Sequence, residues 1–241
     1  MNQLGIKVEG TGNVAVAWKK GRHEYYEDSF RLLHRGIPLV ERKKRGELLA
    51  VFDGIGSTPR AREAAQKMAD ALTSFYTEPD NNPASIDGIR HLLNKANASI
   101  NEWGFAPGKN APAGGCAGTV AWICKNQLRI FHAGDTSAVL IHDGKPEQLT
   151  KAHQDDADTI YNYFGISPSM EMDINQFQLE EDDRVLLVSD GVTKVFSIDD
   201  ASAIIEKYTD LRRAVNELVE QSRQRGSTDD ITALLYEFGD M

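Results

Sequence analysis

Short apolar runs separated by polar or glycine-containing turns recur along the chain. They occupy positions 14–18, 30–33, 48–52, 117–123, 128–132, 138–141, 177–179, 184–188 and 231–238. Several alternate or are rich in β-branched residues, the pattern of half-buried or fully buried strands. Lys125-Asn126 and Asp143-Gly144 sit where tight turns would join neighbouring strands. Helical spacing comes in pairs. Ala61, Ala64, Ala65, Met68, Leu72 and Phe75 follow Thr58-Pro59, which reads as a cap and a proline at the first helical position. Ile86, Ile89, Leu93, Ala96, Ile100 and Trp103 repeat the pattern behind Asn82-Pro83. The second pair is 199–208 behind Ser197, then Leu211, Ala214, Val215, Leu218 and Val219. Each stripe is the core-facing side of an amphipathic helix.

Hairpin-linked strands with paired helices predict an α+β fold, antiparallel sheets covered by helices rather than alternating βαβ units. The chain has 241 residues, 41% hydrophobic and 26% charged, ordinary for one globular domain spanning 1–241. The stretch 104–115, rich in Gly, Pro, Ala and Asn, reads as a mobile connection. Net charge is −9, from 36 acidic against 27 basic residues, which disfavours a nucleic-acid partner. No run approaches the roughly 20 apolar residues of a membrane span. Met1-Asn2-Gln3-Leu4-Gly5-Ile6-Lys7 lacks the basic flank and apolar run of a signal peptide, so a cytoplasmic protein is expected. Cys116 and Cys124 on one extended strand would lie about 26 Å apart, beyond the roughly 7 Å between Cα atoms that a disulfide spans. Two reduced thiols are expected.

The aspartates stand where the apolar runs stop. Leu48-Leu49-Ala50-Val51-Phe52 leads into Asp53-Gly54, and Val185-Leu186-Leu187-Val188 into Ser189-Asp190-Gly191. Leu128-Arg129-Ile130-Phe131-His132-Ala133 leads into Gly134-Asp135, and the acidic pairs Glu27-Asp28 and Asp229-Asp230 flank further strands. A carboxylate at the end of a buried strand is held rigidly, and its charge is costly unless paired or metal-bound. Any single Asp-Gly is a common turn dipeptide. Oxygen-only donors select hard cations such as Mg²⁺ or Mn²⁺, and no zinc, Walker or nucleophile-elbow spacing is present. Spacing alone does not prove that these carboxylates converge.

Six blocks in order resemble the metal-dependent protein serine/threonine phosphatases of type 2C, the PPM family, in its bacterial form. They are Tyr26-Glu27-Asp28-Ser29, Ala50-Val51-Phe52-Asp53-Gly54-Ile55-Gly56, Ala117-Gly118-Thr119 with Ala133-Gly134-Asp135-Thr136-Ser137-Ala138, Gln148-Leu149-Thr150 to His153, Val188-Ser189-Asp190-Gly191-Val192-Thr193 and Ser227-Thr228-Asp229-Asp230-Ile231-Thr232. The resemblance implies an αββα four-layer sandwich, two antiparallel sheets between helix pairs. It implies two Mn²⁺ or Mg²⁺ ions, with Asp53 bridging both, the Gly54 carbonyl on one, and Asp190 and Asp229 on the other. Glu27 and Asp28 would act through metal-bound waters, and Asp135 with Asp190 would hold a weaker third ion. The implied activity is hydrolysis of phosphoserine and phosphothreonine by a metal-bridging hydroxide, in cytoplasmic signalling, by a monomer acting on a phosphoprotein substrate.

The chain also departs from that pattern. The family's phosphate-binding arginine position holds His23, with Arg22 one residue further off. A one-residue bulge would return Arg22 to the site as a fourth catalytic residue beside Asp53, Asp190 and Asp229; otherwise it is a surface arginine. Ile55 replaces a candidate general acid, Asp230 replaces an asparagine, and Lys194 replaces an aspartate that supports the third ion. The 153–164 segment is short and acidic where a longer flap is usual, and His153 reads as a structural hydrogen-bonder. The competing readings are a catalytically silent metal- and phosphate-binding regulatory module, a phosphatase for one dedicated regulatory protein, and a small-molecule phosphohydrolase.

Overall fold

Among residues 6–108 and 111–239, which the computed structural model describes, the strands sort into two antiparallel sheets. Met1-Asn2-Gln3-Leu4-Gly5 and Lys109-Asn110, the centre of the expected 104–115 connection, lie outside the described residues. The chain begins with β1 (Lys7–Thr11), β2 (Val14–Lys19), β3 (Ser29–Leu33), α1 (Pro38–Lys43) and β4 (Glu47–Gly54). It continues with α2 (Ala61–Ala71), α3 (Ser74–Thr77), α4 (Ile86–Asn101), β5 (Cys116–Cys124), β6 (Gln127–Ala133), β7 (Ser137–His142) and β8 (Lys145–Gln148). It ends with β9 (Asp173–Gln178), β10 (Arg184–Val188), α5 (Asp190–Thr193), α6 (Ile198–Ile205), α7 (Leu211–Gln224) and β11 (Ile231–Glu237).

Two compact units result. One comprises Met1–Tyr26, Ser137–Lys151 and Gln178–Met241, and the other Glu27–Thr136 and Ala152–Phe177. The first carries the six-stranded sheet β1-β2-β11-β10-β7-β8 with α5, α6 and α7. Its core joins Ala15, Ala17, Val139, Leu186, Val188, Ala233 and Leu235 from the strands to the α7 stripe Leu211, Ala214, Val215, Leu218 and Val219. The second carries β3-β4-β5-β6-β9 with α1 to α4. Leu48, Ala50 and Phe52, alternate residues of β4, meet Ala64, Ala65 and Met68 of α2 there. Each fully buried Val, Leu, Phe or Met side chain among these contributes about 1.5–3 kcal/mol, so each unit has a core of its own.

Most of the expected strands are present, with Lys125 (φ 55°) and Asp143 (φ 49°) in left-handed turns at the expected hairpins. The late pair of helices is present, with the Ser197 hydroxyl capping α6, which ends at Ile205 rather than running to Tyr208. Three helix boundaries differ. Thr58 does not cap α2: its hydroxyl and its N–H both donate to the Ile55 carbonyl, closing the turn after β4, and the helix starts at Ala61. The helix expected to run through Phe75 ends at Ala71 and resumes as α3. Asn82 spends its amide on the Ser74 and Glu78 carbonyls, and Ser85 caps α4 instead. The run at 177–179 falls at the end of β9, which is mostly polar and begins at Asp173. The flanks of the 104–115 stretch are tied together rather than loose: Ala106 N–H donates to Ala111, and Ala113 N–H to Gly104. Cys116 and Cys124 stand at opposite ends of β5 as free thiols.

Candidate metal centre

In the five-stranded unit, strand register brings the acidic residues to one sheet end. Ser29 pairs with Phe52, so Glu27-Asp28 and Asp53 leave β3 and β4 on the same side. Asp53 pairs with Ala117 and Gly118 with Ala133, which brings Gly134-Asp135 to that same end. One carboxylate oxygen of Asp53 and one of Asp135 lie within 4.8 Å of each other. Gly54 closes β4 in a tight cradle: a Cβ there would stand 2.9 Å from the Glu27 carbonyl oxygen and 2.9 Å from the Ala61 carbonyl carbon. Only a residue without a side chain lets the backbone pass so close.

Asp135 is held from both sides. The residue before it, Gly134, donates its N–H to His153 Nδ1 at 3.2 Å and accepts the His153 N–H at 2.7 Å. Because Nδ1 accepts, the His153 proton sits on Nε2, which donates to Asp173 at 3.1 Å. The residue after it, Thr136, shares a 2.7 Å hydrogen bond with Thr119, whose hydroxyl also bonds His132 Nδ1 at 2.9 Å. His153 is thus the structural hydrogen-bonder expected. Thr119 belongs to a block already marked in the sequence, whereas Asp173 and His132 join this support without any local signal that marks them.

In the six-stranded unit, Val188 pairs with Ala233 and Ile231 with Lys19. Asp190 after β10, Asp229-Asp230 before β11 and Lys20-Gly21-Arg22 after β2 therefore leave the sheet at one end. Ser189 fixes the first of these, donating its N–H to Thr232 at 3.1 Å and accepting the Thr232 N–H on its hydroxyl at 2.9 Å. The basic loop lies directly on the acidic segment. A Cβ on Gly21 would stand 2.3 Å from the Asp229 carbonyl carbon. Gly21 N–H donates to Asp230 Oδ1 at 2.6 Å, and Arg22 N–H donates to the Thr228 carbonyl at 2.9 Å. Asp230, 2% exposed, is thereby committed to the backbone of this loop. The Arg22 side chain is exposed.

Lys194 ion-pairs with Asp190 and, at 2.7 Å, with Asp229. Burial works to raise the Asp229 pKa, but the Lys194 hydrogen bond and charge outweigh it and hold the carboxyl below its ordinary value. Burial likewise works against the Lys194 charge, and the two carboxylates overcome it, so the ammonium pKa is raised. The carboxylates of this sheet end already converge on a cation. Taken by itself, each sheet end offers carboxylate oxygens, and the end in the five-stranded unit adds the closely approached Gly54 backbone; hard-oxygen donors of this kind fit Mg²⁺ or Mn²⁺ rather than zinc.

Residues 27–236 match the family model of protein phosphatase 2C. The chain belongs to the protein phosphatase 2C family. By that membership it is a metal-dependent protein serine/threonine phosphatase using Mn²⁺ or Mg²⁺. "Serine/threonine phosphatase stp" of Listeria welshimeri is 23% identical over 239 residues, covering 89% of this chain and 94% of that one. "Probable protein phosphatase 2C 69" of Arabidopsis thaliana is 25% identical over 97% of this chain, which spans 72% of the plant protein. The catalytic domain of the phosphatase PstP, solved in complex with two manganese ions, superposes with a TM-score of 0.78 at 20% identity, covering 98% of this chain and 99% of that one. The Streptococcus agalactiae serine/threonine phosphatase gives 0.77 at 20% identity. The α+β fold of the protein phosphatase 2C relatives therefore extends over nearly the whole chain.

Within this phosphatase the departures at Asp230 and Lys194 have structural roles. Asp230 accepts a backbone N–H, and Lys194 neutralises two carboxylates. Ile55 is half-buried and carries no proton to donate. The short 153–164 segment closes as a turn in which Asp155 accepts the N–H groups of Ala157 and Thr159.

Proposed function

We propose that the chain is a single catalytic domain, residues 1–241, that dephosphorylates phosphoserine and phosphothreonine of a cytoplasmic signalling protein, with two divalent ions held by Asp53, the Gly54 carbonyl, Asp190 and Asp229. The observation that carries this reading is that each sheet delivers its strand-terminal carboxylates at one end, on backbone pinned by hydrogen bonds. When bound, the ions supply Lewis acidity that lowers the pKa of water to near 7. The rest falls to the chain's own residues. Asp53, Asp190 and Asp229 orient the site from rigid strand ends, and Glu27, Asp28 and Asp135 accept hydrogen bonds from water around it. Asp135 lies beside Asp53, where with Asp190 it could bind a third ion only weakly. Arg22 binds phosphate oxygens and offsets charge that builds on them as the phosphoryl group transfers. Ile55 contributes no proton, so the leaving serine or threonine oxygen is protonated from elsewhere. The net charge of −9, with no helix of the described residues long and apolar enough to cross a membrane, supports a monomer that acts away from nucleic acid and bilayer.

The test is phosphate release from phosphothreonine peptides. Protein stripped by chelator is expected to be inactive and to recover with Mn²⁺ or Mg²⁺. Asp53→Asn and Asp190→Asn should each lower turnover by at least about a hundredfold, since each weakens the Lewis-acid site by taking the negative charge from one of its ligands. Full activity in excess chelator would sink the reading. Mn²⁺ binding with no turnover on any phosphopeptide would favour a silent regulatory module.

A further inference from the structure

Lys194 follows Asp190 at the i,i+4 spacing that sets two side chains on one face of a helical turn. Asp229 arrives at the same ammonium from 35 residues further along the chain. We propose that Lys194 is a tethered counter-cation for the Asp190–Asp229 pair, which fills their cation position in the metal-free protein and has to leave before a divalent ion binds there. On this basis Lys194 sets the affinity of the second metal site. The inference rests on Asp190 and Asp229 being metal ligands.

An ammonium and a metal ion draw on the same carboxylate lone pairs. With Lys194 Nζ 2.7 Å from Asp229 Oδ2, an ion at bonding distance from that oxygen would lie no more than about 5 Å from the nitrogen. A +1 and a +2 charge that close, in a partly desolvated site, repel strongly. The lysine has somewhere to go, because its side chain is 54% exposed and its flexible stem can carry the ammonium into water. While it stays, it keeps Asp190 and Asp229 from repelling one another. The expected result is stepwise loading, in which the ion held by Asp190 and Asp229 is the weaker one.

Titration calorimetry of Mn²⁺ into the stripped full chain tests this, paired with thermal unfolding with and without metal. Lys194→Met should bind the weaker Mn²⁺ at least about tenfold more tightly than wild type, once the competing charge is gone. Its metal-free Tm should fall while its Mn²⁺-saturated Tm stays at the wild-type value. Lys194→Gln, which keeps a hydrogen-bonding side chain without charge, should do the same and serves if the Met variant fails to fold. Unchanged Mn²⁺ affinity in both variants overturns the inference, as does an equal drop in both Tm values, which marks a structural ion pair only. Asp190→Asn separates the two levels. If it loses the weaker Mn²⁺ while the lysine variants match wild type, the metal reading stands and the lysine inference falls. If it binds two Mn²⁺ like wild type, the ligand assignment itself is wrong.

Discussion

At the residue scale, the one-residue offset of Arg22 meets a backbone suited to it. Gly21 allows the loop to press against Asp229, and the Asp230 carboxylate and Thr228 carbonyl hold the N–H groups of Gly21 and Arg22. The arginine is anchored by its backbone beside a proposed ligand while its side chain stays exposed. A guanidinium there would match phosphate oxygens bidentately. Arg22→Ala is therefore expected to raise KM for a phosphopeptide by about three- to tenfold, the loss of one solvent-exposed hydrogen-bonded contact of about 1 kcal/mol, with Mn²⁺ affinity little changed. Steady-state kinetics at saturating Mn²⁺ decides it, and wild-type KM and kcat in the variant would remove Arg22 from the site.

At the element scale, α4 and α7 owe their starts to capping side chains, Ser85 and Asp210, that spacing alone does not single out. Asp210 Oδ1 accepts the N–H groups of Arg212 at 2.9 Å and Arg213 at 3.3 Å, capping α7. That helix buries Leu211, Ala214, Val215, Leu218, Val219 and Ser222 against the six-stranded sheet. Asp210→Ala should destabilise the protein by about 1 kcal/mol, with Asp210→Asn close to wild type, since asparagine caps as well. Urea unfolding of the metal-free chain measures this, and equal midpoints for the Ala variant and wild type would show the cap to be dispensable. Strands also divide by position. The central β10 and β11 read clearly because they are buried on nearly every residue, whereas β1 and β8 form the sheet's edges with exposed, charged positions. Edge strands carry polar residues that blunt further pairing, and so lose the apolar pattern that marks a strand.

At the scale of the whole molecule, the acidic surplus and the metal are coupled. A chain of net charge −9 that gathers carboxylates at two sheet ends gains stability from any cation that binds its folded form alone. At a free Mn²⁺ concentration a hundred times Kd, that gain is about 2.7 kcal/mol per site. The unfolding temperature should rise with Mn²⁺ and return to its starting value on chelation, and Asp53→Asn should lose most of the rise. A wild-type Tm that ignores Mn²⁺ would contradict a folded-state metal site. The fold itself tolerates wide sequence change: relatives at 20% identity superpose with TM-scores of 0.77 and 0.78.

What the sequence by itself determined is what depends on near neighbours. Strand interiors follow from apolar runs, helix faces from spacing, and Asp53, Asp135 and Asp190 stand out because each ends such a run. Their ordered blocks were enough to mark the family. Tertiary structure alone decided which of these residues meet. Strand register placed Asp53 beside Asp135, and a β10–β11 pairing brought Asp229 to the lysine that follows Asp190. His153 reaches Asp173 across 20 residues, and Thr58 and Asn82 gave up capping for carbonyls made available by the surrounding turns. The carboxylate, lysine and histidine contacts join segments distant in sequence, and the Thr58 and Asn82 bonds, though local, depend on turns that the fold sets. Their energies depend on distances that only the folded chain defines, so no periodicity or composition records them.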